Sequence, residues 1–391
     1  MKRVRVVTGS RADYGLLRWV MEGIQASSEL ELQLVVTGMH LASEFGNTWR
    51  EIEADGFSID RKIDTLLSSD SPAGVTKSMG LGLIAFADAL SELSPDMVLV
   101  LGDRSEIFVA AAAATVACIP IAHLHGGERT EGAIDESFRH SITKMSHLHF
   151  VAAEEYRRRV IQLGEDPDRV ILVGGLGIDS ILRLPLLSPG EVEESLGLTF
   201  SERNLLITFH PVTLEPAAAE GQMLELLSAL EPLAETSLIF TMPNADTGGR
   251  QLIRMVEEFV GQHSNAFAFT SLGQLRYLST IRNVDAVVGN SSSGLTEVPS
   301  FKKGTINIGT RQQGRLRASS VIDCDPDRRD IGAAMRRLYS SDFQAALLNT
   351  QNPYGNGGAS DAIVKKIESV GIASLLRKSF VDLEAQSAHP A

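Results

Sequence analysis

The chain is poor in cysteine. Cys118 and Cys324 are the only two cysteines in 391 residues, and neither belongs to a Cys-x-x-Cys pair. The sequence therefore excludes a disulfide framework and a thiolate zinc site as organising features of the fold. Cys118 lies in the apolar segment ATVACIPIAH, which predicts a buried and unreactive side chain.

Positive charge is also scarce, with 36 Lys and Arg against 49 Asp and Glu and a formal net charge of -13. This composition argues against a nucleic-acid or anionic-membrane partner, because both require a basic surface. We find no stretch that approaches the ~18 apolar residues of a membrane span, and the apolar run in MKRVRVVTGS is too short for a signal peptide. The sequence predicts a cytoplasmic protein.

Short apolar runs, in contrast, are abundant and alternate with helix-length segments. One series lies at 4–8, 32–37, 97–102, 119–124, 148–152 and 169–174, and a second at 205–209, 237–242, 266–270, 285–289 and 305–309. Such runs are typical of parallel strands covered by helices on both faces. The pattern predicts an α/β protein with two Rossmann-like doubly wound domains, at 1–185 and 186–365, facing across a cleft. The turn-rich segment 180–203 is the predicted hinge.

The loop TGSRADYG follows the first run and opens a helix. Ser10 or Asp13 is the expected cap, and Arg11 projects from the turn. A guanidinium at a helix N-terminus forms an anion site, although an ordinary capped loop explains the same residues. The Gly-x-Gly-x-x-Gly fingerprint of dinucleotide binding is absent.

Candidate proton carriers follow the next strands of the first domain. LGDRSE places Asp103 at a strand end, where a helix-capping role is the alternative. HLHGGERTEGAIDESFRH carries His125, Glu128 and Asp135, and strand alternation predicts that His123 and His125 point the same way. Several proton carriers at one cleft edge favour acid–base catalysis. His-x-His can also hold zinc, but we expect no metal.

Candidate anion-binding residues follow strands of the second domain. VVGNSSSGLTEVPSF contains a strand, a loop of small residues and a helix start, which together expose N–H groups and hydroxyls to a diphosphate. FHPVT, TMPNADTGGR and GTRQQGR also follow strands, although some of their polar residues could simply cap helices. The candidates in this domain are His210, Asn244, Ser291, Ser292, Glu297, Arg311 and Arg315.

Taken in order, six motifs resemble those of the hydrolysing UDP-N-acetylglucosamine 2-epimerases, particularly the branch that serves sialic-acid and legionaminic-acid synthesis. They are SRADYGLL, GDRSE, HGGERTEGAIDESFRHSITK, FHPVT, GNSSSGLTE and GTRQQGR, and they span about residues 4 to 320. The resemblance implies a fold of the glycosyltransferase-B type, with the nucleotide held mainly by the second domain. It also implies that the segment 366–391 forms a last helix that packs back on the first domain, followed by a polar tail that we expect to be disordered after about residue 380.

The resemblance also implies roles for the candidate residues. Asp103 and Asp135 match the catalytic carboxylates of the family. Relatives outside this branch carry a glutamate where this chain has His125, so His125 and Glu128 both stay candidates for the base. His210 is also a catalytic candidate, because the resemblance places it near the phosphates or the sugar. The implied substrate contacts are Arg11 to the diphosphate with Asp13 beside it, Ser291 and Ser292 to phosphate, Glu297 to ribose, and Arg311 and Asn244 in the rest of the pocket.

The activity implied by the resemblance is conversion of UDP-N-acetylglucosamine to N-acetylmannosamine and UDP, by elimination to 2-acetamidoglucal and hydration, without a cofactor. Four alternatives stay open: the same chemistry on UDP-N,N'-diacetylbacillosamine, a non-hydrolysing 2-epimerase, a glycosyltransferase and a sugar-nucleotide sensor. The family also implies a homo-oligomer, either dimer or tetramer. The apolar segment 74–93 could serve such an interface or pack in the core.

Overall fold

The apolar runs fold into two separate sheets of parallel strands. The computed structural model of the chain describes residues 1–67, 69, 71–131, 134–211, 218–243 and 249–382. The strands are β1 Lys2–Thr8, β2 Leu30–Thr37, β3 Arg61–Ile63, β4 Met97–Leu101, β5 Ile121–Leu124, β6 Leu148–Val151, β7 Val170–Leu172, β8 Arg203–Thr208, β9 Thr236–Thr241, β10 Ala266–Phe269, β11 Ala286–Gly289, β12 Gly304–Ile308 and β13 Val321–Cys324.

Helices connect these strands and cover the sheets. They are α1 Arg11–Ala26, α2 Trp49–Ala54, α3 Pro72–Leu93, α4 Ser105–Val116, α5 Asp135–Met145, α6 Glu154–Gln162, α7 Leu176–Arg183, α8 Pro189–Leu196, α9 Ala219–Leu230, α10 Gly249–Gln262, α11 Gly273–Asn283, α12 Ser293–Thr296, α13 Arg328–Leu338, α14 Ser341–Leu347, α15 Ala359–Ser369 and α16 Ile372–Leu375.

Each sheet reverses its direction of growth beside its first strand. The order is β3-β2-β1-β4-β5-β6-β7 in the first sheet and β10-β9-β8-β11-β12-β13 in the second. In open parallel sheets the crevice for a ligand forms at such a reversal, beyond the carboxyl ends of the strands. The loops after β1 and β4, and those after β8 and β11, are therefore placed to line a site. The predicted architecture of two doubly wound domains is confirmed.

The two sheets are buried on both faces, which explains their continuous apolar sequences. In β1, Val4 and Val6 join a cluster with α1, whereas Val7 joins a cluster with α3 and α4 on the other face. The edge strands β3 and β13 were not predicted. β3 has three residues, two of them exposed, and β13 reads Val-Ile-Asp-Cys, so neither has the continuous apolar run of a central strand.

The predicted hinge at 180–203 is largely helical, because it contains the end of α7 and all of α8. Ser188 and Glu191 form a capping box at the start of α8, and Gly197 ends the helix in a left-handed conformation. Val192 on α8 is fully buried in the core of the second domain. The helical part of this segment thus belongs to the packed fold of the second domain.

The chain returns to the first domain at α15. Ile363 and Ile367 on this helix are fully buried in one cluster with Leu17 and Met21 of α1. The return therefore begins at Ala359, earlier than the predicted boundary at residue 366. Beyond α16, Val381 N donates to the Gly164 carbonyl at 3.0 Å, and residues 383–391 lie outside the described part of the chain.

Two expectations about apolar segments are corrected. Cys118 is exposed, in a left-handed backbone conformation with φ 55°, because it lies in the turn after α4. The helix α3, at Pro72–Leu93, does have the length and composition of a membrane span. However, Phe86, Ala89 and Leu90 on α3 are buried in a cluster with α4 and the first sheet, so the core of the first domain accounts for one face of this helix.

Candidate functional site

The predicted proton carriers of the first domain lie at neighbouring strand ends. Asp103 follows β4, His125 follows β5, and Asp135 is the first residue of α5. The strands β4 and β5 are paired in parallel, so their carboxyl ends meet at the same edge of the sheet. Residues 125–131, which we call the catalytic loop, connect this edge toward α5.

Arg139 on α5 fastens the catalytic loop to the end of β4. Its side chain is 1% exposed and forms an ion pair with the Asp103 carboxylate. It also donates to Glu136 Oε2 at 2.7 Å, to the Glu128 carbonyl at 3.0 Å and to Thr130 Oγ1 at 2.7 Å. Sequence reasoning gave Arg139 no role. Its position one turn after Asp135, on the face of α5 that turns inward, was the available signal.

Glu128 in the catalytic loop is a buried carboxylate held by cations. It is 2% exposed. Its Oε2 lies 2.8 Å from Arg315 Nη1 of the second domain, and its Oε1 lies 3.0 Å from His125 Nδ1. Burial disfavours the charged form, but Arg315, His125 and Arg139 outweigh it and lower the pKa of Glu128 to about 2. Glu128 is therefore a fixed anion at neutral pH.

His125 has a strained backbone and a ring nitrogen that is buried without a partner. Its φ is 62°, a left-handed conformation that is uncommon for residues other than glycine and that clusters at functional sites. Its Nδ1 lies 3.0 Å from Glu128 Oε1, and its Nε2 is buried without a hydrogen-bond partner among the described residues. Contacts of this kind often tighten only when a substrate binds.

His123 has a structural role. The prediction that His123 and His125 point the same way by strand alternation does not apply, because only His123 lies within β5. His123 Nε2 lies 2.8 Å from the Gly102 carbonyl and its Nδ1 lies 3.2 Å from Thr143 Oγ1. Burial lowers the pKa of His123 to about 3. His125 lies after the last residue of β5 with positive φ, so the alternation of β5 no longer sets its direction.

Glycine is required at position 127 in the catalytic loop. Its φ is 77°, and a Cβ there would collide with the carbonyl of Tyr156 on α6. The carbonyl of Gly127 also accepts a hydrogen bond from Arg159. The close approach to α6 holds the loop that carries His125 and Glu128.

Glu136 lies beside Asp135 but is committed to structure. Its Oε2 accepts from the Thr130 N–H at 2.6 Å and its Oε1 lies 3.0 Å from His140 Nε2. Burial opposes ionisation, yet His140, the Thr130 N–H and Arg139 together lower the pKa of Glu136 to about 2. Asp135, the preceding residue, has interactions of its own within the described chain.

Arg11 and Asp13 open α1 at the other side of the β1–β4 reversal. Ser10 is the N-cap, and its hydroxyl accepts from the Asp13 N–H at 3.3 Å. Burial raises the pKa of Asp13 to about 6, since Arg104 offsets it only in part. Asp13 Oδ2 is buried without a hydrogen-bond partner among the residues that the structure describes. Burial also lowers the pKa of Arg11.

Asn290 joins the predicted anion-binding parts of the second domain. Its side-chain Oδ1 accepts from the His210 N–H at 2.7 Å, and its Nδ2 donates to the His210 carbonyl at 2.8 Å. The Asn290 carbonyl accepts from Arg311 Nη1 at 3.1 Å and from Gln312 Nε2 at 2.8 Å. Loops after β8, β11 and β12 are thus tied together, although sequence reasoning had not singled out Asn290.

The loop of small residues between β11 and α12 differs in one respect from the prediction. Ser291 and Ser292 lie between β11 and α12, but α12 has only four residues. A helix of one turn has a small dipole, so this loop offers hydroxyls and local N–H groups, and not a helix dipole, to an anion. Gly289 at its start has φ 136° and lies against the Thr208 carbonyl, where a Cβ would collide.

Glu297 follows α12 and is largely desolvated. Burial raises its pKa, and Ser293 Oγ donates to its Oε2. Burial and the Glu297 charge together raise the pKa of Tyr277 on α11 to about 12, so this hydroxyl stays protonated beside Ser291. Asn244, the remaining predicted substrate contact, lies outside the described residues.

The two domains contact each other directly around these loops. Arg315 meets Glu128, Gln274 Nε2 on α11 donates to the Gly15 carbonyl of α1 at 2.6 Å, and the Glu131 N–H lies 3.5 Å from the Gln313 carbonyl. The contacts bring two surfaces together. The first wall, from the first domain, carries the carboxylates and His125, and the second wall, from the second domain, carries the serine hydroxyls and the arginines. Within the described ranges, no group of three His, Cys, Asp or Glu side chains could hold a metal ion.

Comparisons with known proteins agree on one family. The family model described as UDP-N-acetylglucosamine 2-epimerase matches residues 22–368. The chain is 41% identical to the GDP/UDP-N,N'-diacetylbacillosamine 2-epimerase (hydrolyzing) of Campylobacter jejuni, over 98% of this chain and 99% of that protein. It is also 41% identical to polysialic acid biosynthesis protein P7 of Escherichia coli, over 90% of each chain.

The fold is that of solved 2-epimerases. The crystal structure of UDP-GlcNAc 2-epimerase from Neisseria meningitidis bound to UDP-GlcNAc superposes with a TM-score of 0.81, covering 94% of this chain and 99% of that one at 19% identity. This likeness shows the shared fold, and the family match and the two relatives at 41% identity show the family. The chain belongs to the UDP-N-acetylglucosamine 2-epimerase family.

Proposed function

We propose that the protein is a hydrolysing 2-epimerase of a UDP-linked 2-acetamido sugar. The observation that carries the proposal is the pair formed by His125 and the ionised, buried Glu128. Arg139 links the Glu128 backbone to Asp103, and Arg315 joins the Glu128 carboxylate to the second domain. A base oriented by a fixed carboxylate is the arrangement that proton abstraction requires.

The first half of the proposed reaction is an elimination. His125 Nε2 removes the proton from C2 of the sugar, and the electron pair of the C2–H bond forms a C1=C2 double bond. The C1–O bond breaks at the same time, and its electron pair leaves with the β-phosphate of UDP. Glu128 stabilises the imidazolium that forms, because its charge lies 3.0 Å from His125 Nδ1.

The departing diphosphate is stabilised by the second wall. We assign Ser291, Ser292 and Arg311 to the phosphates, with His210 placed beside them through Asn290. Positive charge and N–H donors at the leaving group lower the barrier because charge develops there in the transition state. The remaining proposed contacts are Arg11 and Asp13 at the diphosphate, Glu297 at the ribose and Asn244 in the pocket.

The second half is a hydration. We assign Asp103 and Asp135 to this step, in which water adds its oxygen to C1 and a proton returns to C2 from the opposite face. The products are UDP and a free sugar that is inverted at C2. Arg139 holds the Asp103 carboxylate in place for this role. No electron is gained or lost, so the reaction needs no redox cofactor.

Two sugars are candidates for the substrate. UDP-N-acetylglucosamine, the substrate expected from the sequence motifs, would give N-acetylmannosamine for sialic-type acid synthesis, and the polysialic acid relative supports it. UDP-N,N'-diacetylbacillosamine is supported by the name of the Campylobacter relative, which matches over more of its length at the same identity. We propose the shared chemistry, and the assay below compares the two sugars.

Proton NMR of reactions in deuterium oxide tests the proposal. Each UDP-sugar is incubated alone with the enzyme, and we expect one of them to give free UDP and a C2-inverted sugar that carries deuterium at C2. A UDP-linked inverted product would indicate a non-hydrolysing epimerase. Release of UDP without inversion or deuterium, or tight binding of both sugars without turnover, would contradict the proposal and favour a transferase or a sensor.

Location and assembly belong to the same proposal. We place the protein in the cytoplasm as a homo-oligomer that has no nucleic-acid or membrane partner. Leu81, Leu83 and Ile84 on α3 are exposed apolar side chains, which supports a subunit interface on this helix. Light scattering of the wild type and of Ile84→Glu tests this, since a lower mass is expected for the variant and an unchanged mass would contradict the assignment.

A further inference from the structure

We propose that Arg315 is a positioning residue: it crosses from the second domain to hold Glu128 against His125, so the phosphate-binding side of the cleft supports the base on the other side. The inference rests on the proposed function, because it concerns the base of that reaction. Sequence reasoning had grouped Arg315 with Arg311 as a cationic partner for phosphate, and the contacts separate the two residues.

The Arg315 side chain is committed to Glu128. The two side chains are 13% and 3% exposed, and Nη1 lies 2.8 Å from Oε2. Arg315 Nη2 also lies 3.5 Å from Thr130 Oγ1, in the same catalytic loop. A guanidinium already neutralised by a buried carboxylate is a poor ligand for a second anion, since a phosphate would have to compete for its charge.

Arg311, four residues earlier, has different surroundings. Its Nη1 donates to the carbonyl of Asn290, and Gln312 Nε2 donates to the same oxygen. Asn290 in turn brackets the backbone of His210. The loop after β12 therefore has one end fastened to the phosphate-binding loops and the other end fastened to Glu128.

Neighbouring residues fix the backbone of the loop at Arg315. The Arg315 carbonyl accepts from Arg317 Nη1 at 2.9 Å. The Leu316 N–H donates to the Tyr156 hydroxyl at 3.3 Å, and this hydroxyl lies 2.9 Å from that of Tyr354. Arg315 thus projects from a segment that is itself fixed on the first domain, which suits a role in orientation.

Without Arg315, Glu128 would stay buried but would lose its main opposing charge. Burial would then raise the pKa of Glu128 from about 2. A protonated or displaced Glu128 could neither align the His125 ring nor stabilise its cationic form. Substrate binding would persist, because the phosphate ligands on the second wall are separate residues.

Kinetics of Arg315→Gln and Arg315→Lys test the inference. We expect Arg315→Gln to lower kcat by about 10²-fold, the contribution of a well-placed base, with nearly unchanged KM and UDP affinity. Its acidic limb in the pH–rate profile should move to higher pH. Arg315→Lys should recover part of kcat because it keeps the charge but not the fork geometry. Arg61→Gln, which breaks an exposed ion pair with Glu92, is the matched control.

The double variant Glu128→Gln/Arg315→Gln tests whether Arg315 acts through Glu128. If Arg315 acts through Glu128, the double variant is no slower than Glu128→Gln alone. Multiplied losses, or a tenfold weaker UDP affinity with normal kcat in Arg315→Gln, would overturn the inference and return Arg315 to phosphate binding.

Failure of the proposed function is a separate outcome. A wild type that binds UDP but turns over neither UDP-sugar contradicts the function. The contact between Arg315 and Glu128 is then measured by thermal unfolding of the wild type, Arg315→Gln, Glu128→Gln and the double variant. A double variant that loses less stability than the sum of the two single losses would support the positioning contact, whereas additive losses would overturn it.

Discussion

Glu128 and Glu165 are two buried carboxylates in the same domain with similar partners. Glu165 is 3% exposed and lies 3.0 Å from His149 Nε2, 2.5 Å from Lys144 Nζ and 2.7 Å from Lys378 Nζ. Burial opposes its ionisation, but His149 and the two lysines outweigh it and lower its pKa to about 2. Glu128 reaches the same pKa with one histidine and two arginines.

The two clusters differ in access and in the origin of their cations. His149 is fully buried within β6, and the lysines come from α5 and from the segment after α16, which pack on the same side of the first domain. His125 lies past the end of β5 with a strained backbone, and Arg315, which pairs with Glu128, comes from the opposite domain. Burial and charge alone therefore do not identify a functional carboxylate. Location at the cleft and backbone strain distinguish the two.

Asp103→Asn should have the largest effect, because Asp103 shares Arg139 with the catalytic loop. We expect kcat to fall by about 10³-fold, within the range for general acid–base groups. Formation of the free C2-inverted sugar is the measurement, and supplied 2-acetamidoglucal should also fail to hydrate. Asp96→Asn, which removes an exposed partner of Arg3, is the control and should be fully active. Turnover of Asp103→Asn within tenfold of the wild type would contradict the assignment.

The two histidines give the most direct test of the comparison. His125→Asn should lower kcat by about 10²-fold, and asparagine tolerates the left-handed backbone at this position. His149→Asn should instead lower the melting temperature and leave the kcat of the folded enzyme nearly unchanged. If His125→Asn still hydrates 2-acetamidoglucal at the normal rate, its role in the elimination is supported. Equal kinetic losses in both variants would remove the distinction between the clusters.

Glu165→Gln should affect stability and not the reaction. The change leaves Lys378 and Lys144 without their carboxylate, at an expected cost of about 2 kcal/mol, below the usual value for a buried pair because Lys144 is partly exposed. The pKa of Glu165 is lowered in the fold, so its stabilisation is present above about pH 4.5 and is lost as the pH falls toward 2. Urea unfolding at pH 7 and pH 4 should show the deficit narrowing at the lower pH. A deficit independent of pH would indicate lost packing instead.

The central strands and the placement of most candidate site residues were predictable because two simple rules apply to them. Continuous apolar runs identify parallel strands, and polar residues just after such runs lie at the edge where such sheets bind ligands. Asp103, His125 and Ser291 were placed after strand ends in this way, and the structure confirms that placement. The edge strand β3 and the helix α8 were missed, the first because it is short and partly exposed. The capping signal Ser-Pro-Gly-Glu of α8 was present in the sequence but was interpreted as a turn.

The partners of the site residues were not predictable, because they depend on how distant segments meet. Arg139 and Arg315 both contact the catalytic loop, yet one lies on α5 and the other in the opposite domain. Nothing in the local pattern GTRQQGR distinguishes Arg311, which contacts Asn290, from Arg315, which contacts Glu128. The pKa of Glu128 follows from that contact, so it too required the structure.

Asp13 tests whether neighbouring cations or burial decide the pKa of a carboxyl group in this domain, and its expected effect is the smallest. It is a third carboxyl of the first domain and lies at the cleft side, as Glu128 does, but its pKa is raised to about 6 because burial outweighs the attraction of Arg104. Between about pH 3.8 and 6 the folded protein therefore binds more protons at Asp13 than the unfolded chain does, and stability falls as the pH rises through this window. Above about pH 4.5 the contributions of Glu128 and Glu165 are nearly constant, so the upper part of this window reports Asp13.

Asp13→Asn removes this penalty, so the variant should melt slightly above the wild type at pH 7.5, by about 1–3 °C. The gap should close as the pH falls through 6 toward 4, because Asp13 then becomes neutral in the wild type as well. Differential scanning calorimetry at four pH values measures this difference in melting temperature. Glu31→Gln, at an exposed position, is the control, and its difference from the wild type should not change over this pH range. A variant that is less stable at pH 7.5 would mean that the ionised Asp13 is stabilised in the fold, as Glu128 and Glu165 are, and that burial does not dominate at this position.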